Sequence, residues 1–280
     1  MRAMRIGAII CLAALCVRAR AADTLEEIRT QMLANLERLP NYTCVETMER
    51  TRQRAGLTRR DILRLEVVLV DGKEMFAWPG SRKFAETDVK VMAPNGLSSN
   101  GNFALHAQSI FKNNGVQFDS KGEFLLEGAR FLRYDYSVPR AISTYGIQVG
   151  KNEAIVAYHG SIYADPVSLE VRRIQVVTEN LPAEVGLAGT SDTVDYQRVR
   201  IGSGDFLLPV RSQLIITDLK KRASRNDVHF TNCHLFSSES SLSFTDSALE
   251  TNSPAASIKE VLLPDNSVVV LTLMEDLELE

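Results

Sequence analysis

Cysteine and histidine are scarce in this chain. Four of each stand among 280 residues, and tryptophan occurs once. Two of the cysteines, Cys11 and Cys16, fall in the apolar N-terminal segment, which leaves Cys44 and Cys233 for everything after it. That excludes a disulfide-dense scaffold and leaves little material for a metal site. A strong charge of either sign is missing too. The formal net charge is −3, so nothing marks a nucleic-acid surface and little would draw the chain to anionic membranes. Long apolar runs are also absent: the longest, Ile6 to Val17, has 12 residues, against about 20 for a bilayer-spanning helix. Hydrophobic residues make up 45% of the chain, and glycine and proline are near ordinary usage. This is a globular composition, long enough for one large domain or two small ones.

What is present starts with that apolar run. Arg2 and Arg5 precede it, and Ala19-Arg20-Ala21 follows with the small-x-small pattern of a signal peptidase site. Residues 1–21 therefore read as a secretory signal peptide cut after Ala21. A lipoprotein reading fails, because Leu15 precedes Cys16 and Ile10 precedes Cys11 where a small residue is needed. Cleavage removes four arginines and leaves a net charge of −7. The expected location is periplasmic or secreted, with no transmembrane span in the mature chain. In such a compartment Cys44 and Cys233 are expected to form one disulfide, two buried free thiols being the alternative.

The periodicity then predicts an α+β chain. A helix is expected over 22–39, from the capping-box pair Thr24 and Glu27 and the helical spacing of Leu25, Ile28, Met32 and Leu36, with Pro40 as its stop. Past Pro40 the period falls to two. Strands are expected from Tyr42, over 63–69 before Asp71-Gly72, and over 73–78 before Pro79-Gly80. Others follow over 124–126, 129–138, 154–164, 170–178, 193–201, 206–217 and 228–236. Short turn-rich connections between them imply an antiparallel meander. Only one more helix fits, 103–112, amphipathic through Phe103, Ala107, Ile110 and Phe111. The domain is expected to span 22–245, followed by a Ser-rich linker over 246–260 that overlaps the low-complexity stretch 237–257. Residues 261–280 then form a β segment that either docks on the sheet or opens a further domain, the second being preferred.

The order of one long sheet, an N-terminal helix and an internal helix resembles the LolA/LppX-like superfamily of periplasmic lipoprotein and lipid carriers. The closer resemblance is to uncharacterised secreted proteins of environmental Gram-negative bacteria. It is carried by Leu39-Pro40-Asn41-Tyr42-Thr43-Cys44 with Glu46 and Arg50, and by Tyr163-Ala164-Asp165-Pro166 with Leu169 and Arg173-Ile174. It continues through Val194-Asp195-Tyr196, Phe206-Leu207-Leu208-Pro209, and Asn232-Cys233 before Glu239-Ser240, so it covers roughly residues 24–245. The resemblance implies a curved antiparallel half-barrel whose open side is covered by helices.

Catalytic and cofactor motifs are mostly missing. No G-x-S-x-G occurs. Ser109 and Lys112 fit S-x-x-K, but the companion elements of that chemistry are absent, and two polar positions on an amphipathic helix explain them more simply. Gly202-Ser203-Gly204 reads as a hairpin turn between strands, not a phosphate loop. His229, Cys233 and His234 do not converge on a strand, since His234 faces away from the other two, so no metal or cofactor is expected. His106 and His159 read as ordinary histidines. Glu46, Glu49 and Glu66, with Arg50, Arg52 and Arg64, are expected to form cross-strand ion pairs.

Apolar surface remains. Phe76, Trp78, Phe103, Leu105, Ile110 and Phe111 are the candidate ligand-binding residues, placed to line a cavity beneath a lid helix; the competing reading packs them into a closed core. The function expected is an exported, non-catalytic envelope protein that binds a lipid or lipoprotein acyl chain between sheet and helices. The alternative is a solidly packed module that docks an envelope protein partner.

Overall fold

The computed structural model describes residues 22–54, 57–81, 103, 105–149 and 152–236. The first helix, α1, covers 22–38 and ends before Leu39-Pro40. Thr24 lies inside it and not at its N-cap, because the good helix former Ala22 already belongs to the helix. Ile28, Met32 and Asn35, one turn apart in succession, are its buried positions.

Among the described residues, twelve strands and one further α-helix follow. They are β1 (Tyr42–Arg54), β2 (Leu57–Val70), β3 (Lys73–Ala77), α2 (Leu105–Phe111), β4 (Gln117–Leu126), β5 (Ala129–Val138), β6 (Gly146–Val149), β7 (Asn152–Ile155), β8 (Tyr158–Ala164), β9 (Val171–Glu179), β10 (Leu187–Ile201), β11 (Gly204–Asp218) and β12 (Ala223–Leu235). Ten of them build one antiparallel sheet in the order β3-β2-β1-β12-β11-β10-β9-β8-β5-β4. The meander expected from the sequence is thus present but rotated, since β1 pairs with β12 and, among the described residues, β3 and β4 stand at the two edges. The sheet does not close on itself. It is the half-barrel of an α+β protein, with α1 and α2 as its helices.

Most tight turns carry the residues their geometry needs. Asp71-Gly72 joins β2 to β3 and Glu127-Gly128 joins β4 to β5, with positive φ at both residues of each pair. The expected strand over 154–164 is two strands, broken at Val156 and Ala157, and the first of them pairs with β6 in a separate hairpin. β4 begins at Gln117, well before the expected 124, and it is exposed along nearly its whole length.

One face of the sheet carries the core. In β1, Tyr42, Cys44, Glu46, Met48 and Arg50 point to it, opposite Leu69, Val67, Leu65, Leu63 and Asp61 of β2. Three apolar clusters lie on this inner face. One packs Ile28 and Met32 of α1 and Ile110 and Phe111 of α2 onto β5, β8, β9 and β10. A second gathers β1 and β2 around Phe103, Phe76 and Phe230. A third sits under the β6–β7 hairpin, with Val185, Leu187, Leu214 and Ile216. The Cys44–Cys233 disulfide ties β1 to β12, beside the irregularity between Thr43 and Val45. Residues 1–21 and 237–280, which hold the expected leader, linker and terminal β segment, lie outside the described residues.

Candidate functional site

The helix α2 has seven residues, too few to be stable alone, so its position depends on what it touches. Polar contacts hold it along its length. The Leu105 N–H donates to Glu74 Oε1 of β3 at 3.4 Å. His106 Nε2 lies 3.1 Å from Asp192 Oδ2 of β10, both side chains being buried, and its ring stacks on Tyr145. Ser109 donates to the His106 carbonyl and accepts from the Tyr158 hydroxyl of β8, each at 3.0 Å. Arg29 of α1 donates to the Phe111 carbonyl at 3.2 Å, a cation on the C-terminal end of the helix where it is favoured. The helix therefore bridges β3, β10, β8 and α1 across the inner face.

The residues singled out from the sequence divide into three groups. Phe76 and Phe103 are buried in the β1–β2 cluster, where Phe103 sits between Tyr42 and Phe230 at ring distances of 4.9 and 5.2 Å. Ile110 and Phe111 are fully buried in the cluster under α1. Leu105 is half-buried at the start of α2, and Trp78, just past β3, is half exposed. The inner face thus gathers Phe76, Phe103, Ile110 and Phe111 in two clusters, with Trp78 outside them.

Sequence reasoning passed over the polar residues among them. Asp61, Arg50, Asn226, Leu214 and Asp192 form one transverse row across β2, β1, β12, β11 and β10. Arg50, Asn226 and Asp192 in that row are buried. The expected ion pairs of Arg50 and Arg52 exist, but both go to Asp61, at 2.5 Å. Glu66 accepts the Gly80 N–H instead. Glu46 points inward between Leu65 and Phe230, and burial, helped by Glu74, pushes its carboxyl up to about 8. The signal for Asp192 was its phase: Thr190, Asp192 and Val194 alternate inward, so a strand reading beginning at Leu187 would have put an acid in the core.

Four buried side-chain atoms among the described residues have no hydrogen-bond partner: Tyr42 Oη, Tyr196 Oη, Asp192 Oδ1 and Arg50 Nη1. Burial raises the Tyr42 hydroxyl first, then the charge of Glu74 and the presence of Tyr196. Burial likewise raises Tyr196, followed by Asp192 and Glu74. The charge of Glu74 therefore acts on both phenols.

The inner layer is reachable beside α1. A cleft of about 210 Å³ opens between α1 and strands β9 to β11, floored by Ile28, Met32, Val171 and Leu207, with Arg38 and Arg198 at its rim. Two wider depressions lie elsewhere. One of about 650 Å³ is bounded by the β4–β5 turn and Arg173, and one of about 510 Å³ by Arg60 and Arg225.

No nucleophile–base pair forms around Ser109, whose hydroxyl is engaged with the His106 carbonyl and Tyr158 while Lys112 is exposed. Among the described residues no group of three metal-ligating side chains converges, and no helix is long and apolar enough to cross a membrane. Cys233 is spent in the disulfide, and His234 Nδ1 lies 2.9 Å from the Asn232 carbonyl.

No family model matches the sequence, and no curated protein matches it. Among solved structures, the chain is similar to lipoprotein LppX of Mycobacterium tuberculosis, with a TM-score of 0.27 and 8% identity over 75% of this chain and 94% of that one. It is similar to a DUF1329 family protein from Desulfovibrio piger, with a TM-score of 0.38 and 11% identity over 76% and 93%. A LolA superfamily protein from Nitrosomonas europaea is similar as well, with a TM-score of 0.38 and 10% identity over 74% of this chain and 93% of its own.

Proposed function

We propose that this chain is an exported, non-catalytic envelope protein that takes up a hydrophobic ligand, a lipid or lipoprotein acyl chain, between the sheet and its helices. The observation that carries the reading is the cleft between α1 and the sheet, whose floor residues Ile28, Met32, Val171 and Leu207 are themselves part of the main apolar cluster. At about 210 Å³ it is smaller than the roughly 300–1,000 Å³ of small-molecule sites, so an acyl chain has to displace a helix to enter. The short α2, seated on the cluster through Ala107, Ile110 and Phe111 and tied by polar contacts, is the element to move. Once it lifts, Ile110, Phe111 and Leu105 on its side and Phe76 and Phe103 on the sheet side supply the lining, with Trp78 at the edge.

Native mass spectrometry with solvent extraction tests this on the chain from Ala22, purified from a periplasm. A stoichiometric co-purifying lipid is the expected result. An apo mass that stays unchanged after incubation with lipid extracts would sink the reading. A second reading, docking of an envelope protein partner, is favoured by one observation: β4, at the edge of the sheet among the described residues, exposes Leu125 and Phe124 beside the turn.

A further inference from the structure

Net charge conceals where the cations lie. The chain carries −3 overall, yet residues 49–62 and 218–227 hold nine lysines and arginines against four acids. The fold sets these two segments side by side at one end of the sheet. Arg52 of β1 stands opposite Arg59 of β2 and Ser224 of β12, and Thr51 opposite Arg60 and Arg225. Arg60 and Arg225 therefore flank Thr51 on one face, two strand spacings or about 10 Å apart at the backbone. Both line the depression of about 510 Å³. The β11–β12 turn, 218–222, enters β12 next to them and exposes Lys220 and Lys221. Leu187 of β10 pairs with Asp218, so the β9–β10 connection with its exposed Glu184 marks where the positive end stops.

Most of the acids at this end are already engaged. Asp61 takes Arg50 and Arg52, Asp227 takes Arg225, and Asp218 takes Arg222. Asp218 also closes the turn, its Oδ1 accepting the Lys220 and Arg222 N–H groups at 2.8 and 2.9 Å. Arg59, Arg60, Lys220 and Lys221 are exposed and have no acidic partner among the described residues, and Glu49 is the acid left to oppose them. Two large aliphatic side chains stand out among these cations. Ile62, two residues from Arg60 on the same face, is 69% exposed, and Leu219, next to Lys220, is 62% exposed. We propose that this end of the sheet docks on an anionic lipid surface, the free cations meeting lipid phosphates while Ile62 and Leu219 enter the headgroup layer. A bilayer boundary serves charges and apolar tips together, whereas a nucleic-acid backbone has no use for the aliphatic pair. The turn is held in shape by Asp218 before any surface is met, so little ordering opposes the contact. Docking of this kind needs no ligand in the cleft beside α1 and is independent of the carrier reading.

Vesicle co-sedimentation tests this on the chain from Ala22, with vesicles of phosphatidylcholine alone or mixed equally with phosphatidylglycerol. At low salt the mixed vesicles should bind at least about tenfold more tightly, and added salt should erode the difference. Each cation at such a surface contributes about fivefold in affinity, so Lys220→Gln/Lys221→Gln should weaken binding about 25-fold. Ile62→Ser/Leu219→Ser should weaken it too, but without changing its dependence on salt. Arg130→Gln removes an exposed cation beside the β4–β5 turn, away from this end, and should change binding less than about twofold. Circular dichroism checks the fold of each variant. Equal binding to both vesicles, or binding to neither, would overturn the proposal. So would full binding by the lysine variant, which would put the contact elsewhere on the molecule. A single-stranded oligonucleotide that binds as tightly as the mixed vesicles, with the aliphatic variant unaffected, would reassign the patch to polyanions and overturn the lipid.

Discussion

The Asn35 side chain of α1 holds Leu207 of β11 by both backbone groups: Asn35 Nδ2 donates to the Leu207 carbonyl, and the Leu207 N–H donates to Asn35 Oδ1, each at 2.9 Å. The pairing replaces a missing strand. β11 and β12 are in register only between Arg211 and Thr217, so among the described residues no strand pairs with that edge of β11 before Arg211. Buried backbone groups there need partners, and an amide offers one donor and one acceptor in the spacing of a peptide group. Asn35→Leu, nearly equal in size, should lower stability by about 2–4 kcal/mol by leaving both groups unserved. Arg38→Ala, one turn on and exposed, should stay within about 0.5 kcal/mol. Urea unfolding of the two variants decides it, and equal midpoints would show that Asn35 is incidental.

Gly160 of β8 marks the tightest backbone approach on the inner face. A Cβ there would stand 1.8 Å from the Gln175 carbonyl oxygen and 2.9 Å from the Tyr136 hydroxyl. Tyr136 reaches over this residue to donate to the same carbonyl at 2.7 Å. Gly160→Ala should therefore cost at least about 3 kcal/mol, since strand and phenol must both shift. Tyr136→Phe added to it should not restore stability, because the shorter clash is with backbone. Rescue by the double variant would mean that the hydroxyl alone sets the requirement.

The sequence was most legible where local chemistry decides structure. Alternation over 129–138 marked β5 to the residue, and Asp71-Gly72 and Glu127-Gly128 marked their turns. The α1 stripe was read correctly, although Ile28 and Met32 say nothing of what they cover. β4 was largely missed because an edge strand with both faces exposed has no apolar phase to read. The polar half of the site was hidden for another reason. His106 and Asp192 are 86 residues apart, and Asn35 and Leu207 are 172 apart. Such pairs exist only once the register brings their strands and helices together. Glu46 was read as an ion-pair partner since its neighbours in sequence and across the hairpin include arginines. The register instead sets it opposite Leu65 and Phe230.

The Cys44–Cys233 disulfide joins residues 189 apart in sequence, on the first and last strands of the sheet. Chain-entropy arguments assign a loop of that size roughly 5 kcal/mol, as an upper figure. The β1–β12 ladder runs from Tyr42 to Arg52 without it, so the double variant Cys44→Ser/Cys233→Ser should still fold. Its urea midpoint should fall clearly below that of the oxidised wild type and coincide with that of the reduced wild type. Non-reducing mass spectrometry of exported protein should recover the linked peptide pair. Two alkylatable thiols in that material would contradict the bridge.

Glu46 should make the fold less stable as pH rises. Its carboxyl is pushed from an ordinary 4.5 to about 8 in the folded chain, by burial first and by Glu74 second. Below about 4.5 both folded and unfolded chains carry the proton, and the group favours neither. Between there and about 8 the unfolded chain releases it while the folded chain keeps it, so stability declines by up to about 1.4 kcal/mol per pH step. Above about 8 the decline stops, because both states are then ionised. Glu46→Gln keeps the shape and removes the titration. The stability difference between variant and wild type should therefore grow in the variant's favour from pH 5 to about pH 8 and then level off, a window set by that shift. Parallel stability curves across this range would place the Glu46 carboxylate in contact with water or a cation, and would remove the acid from the inner face.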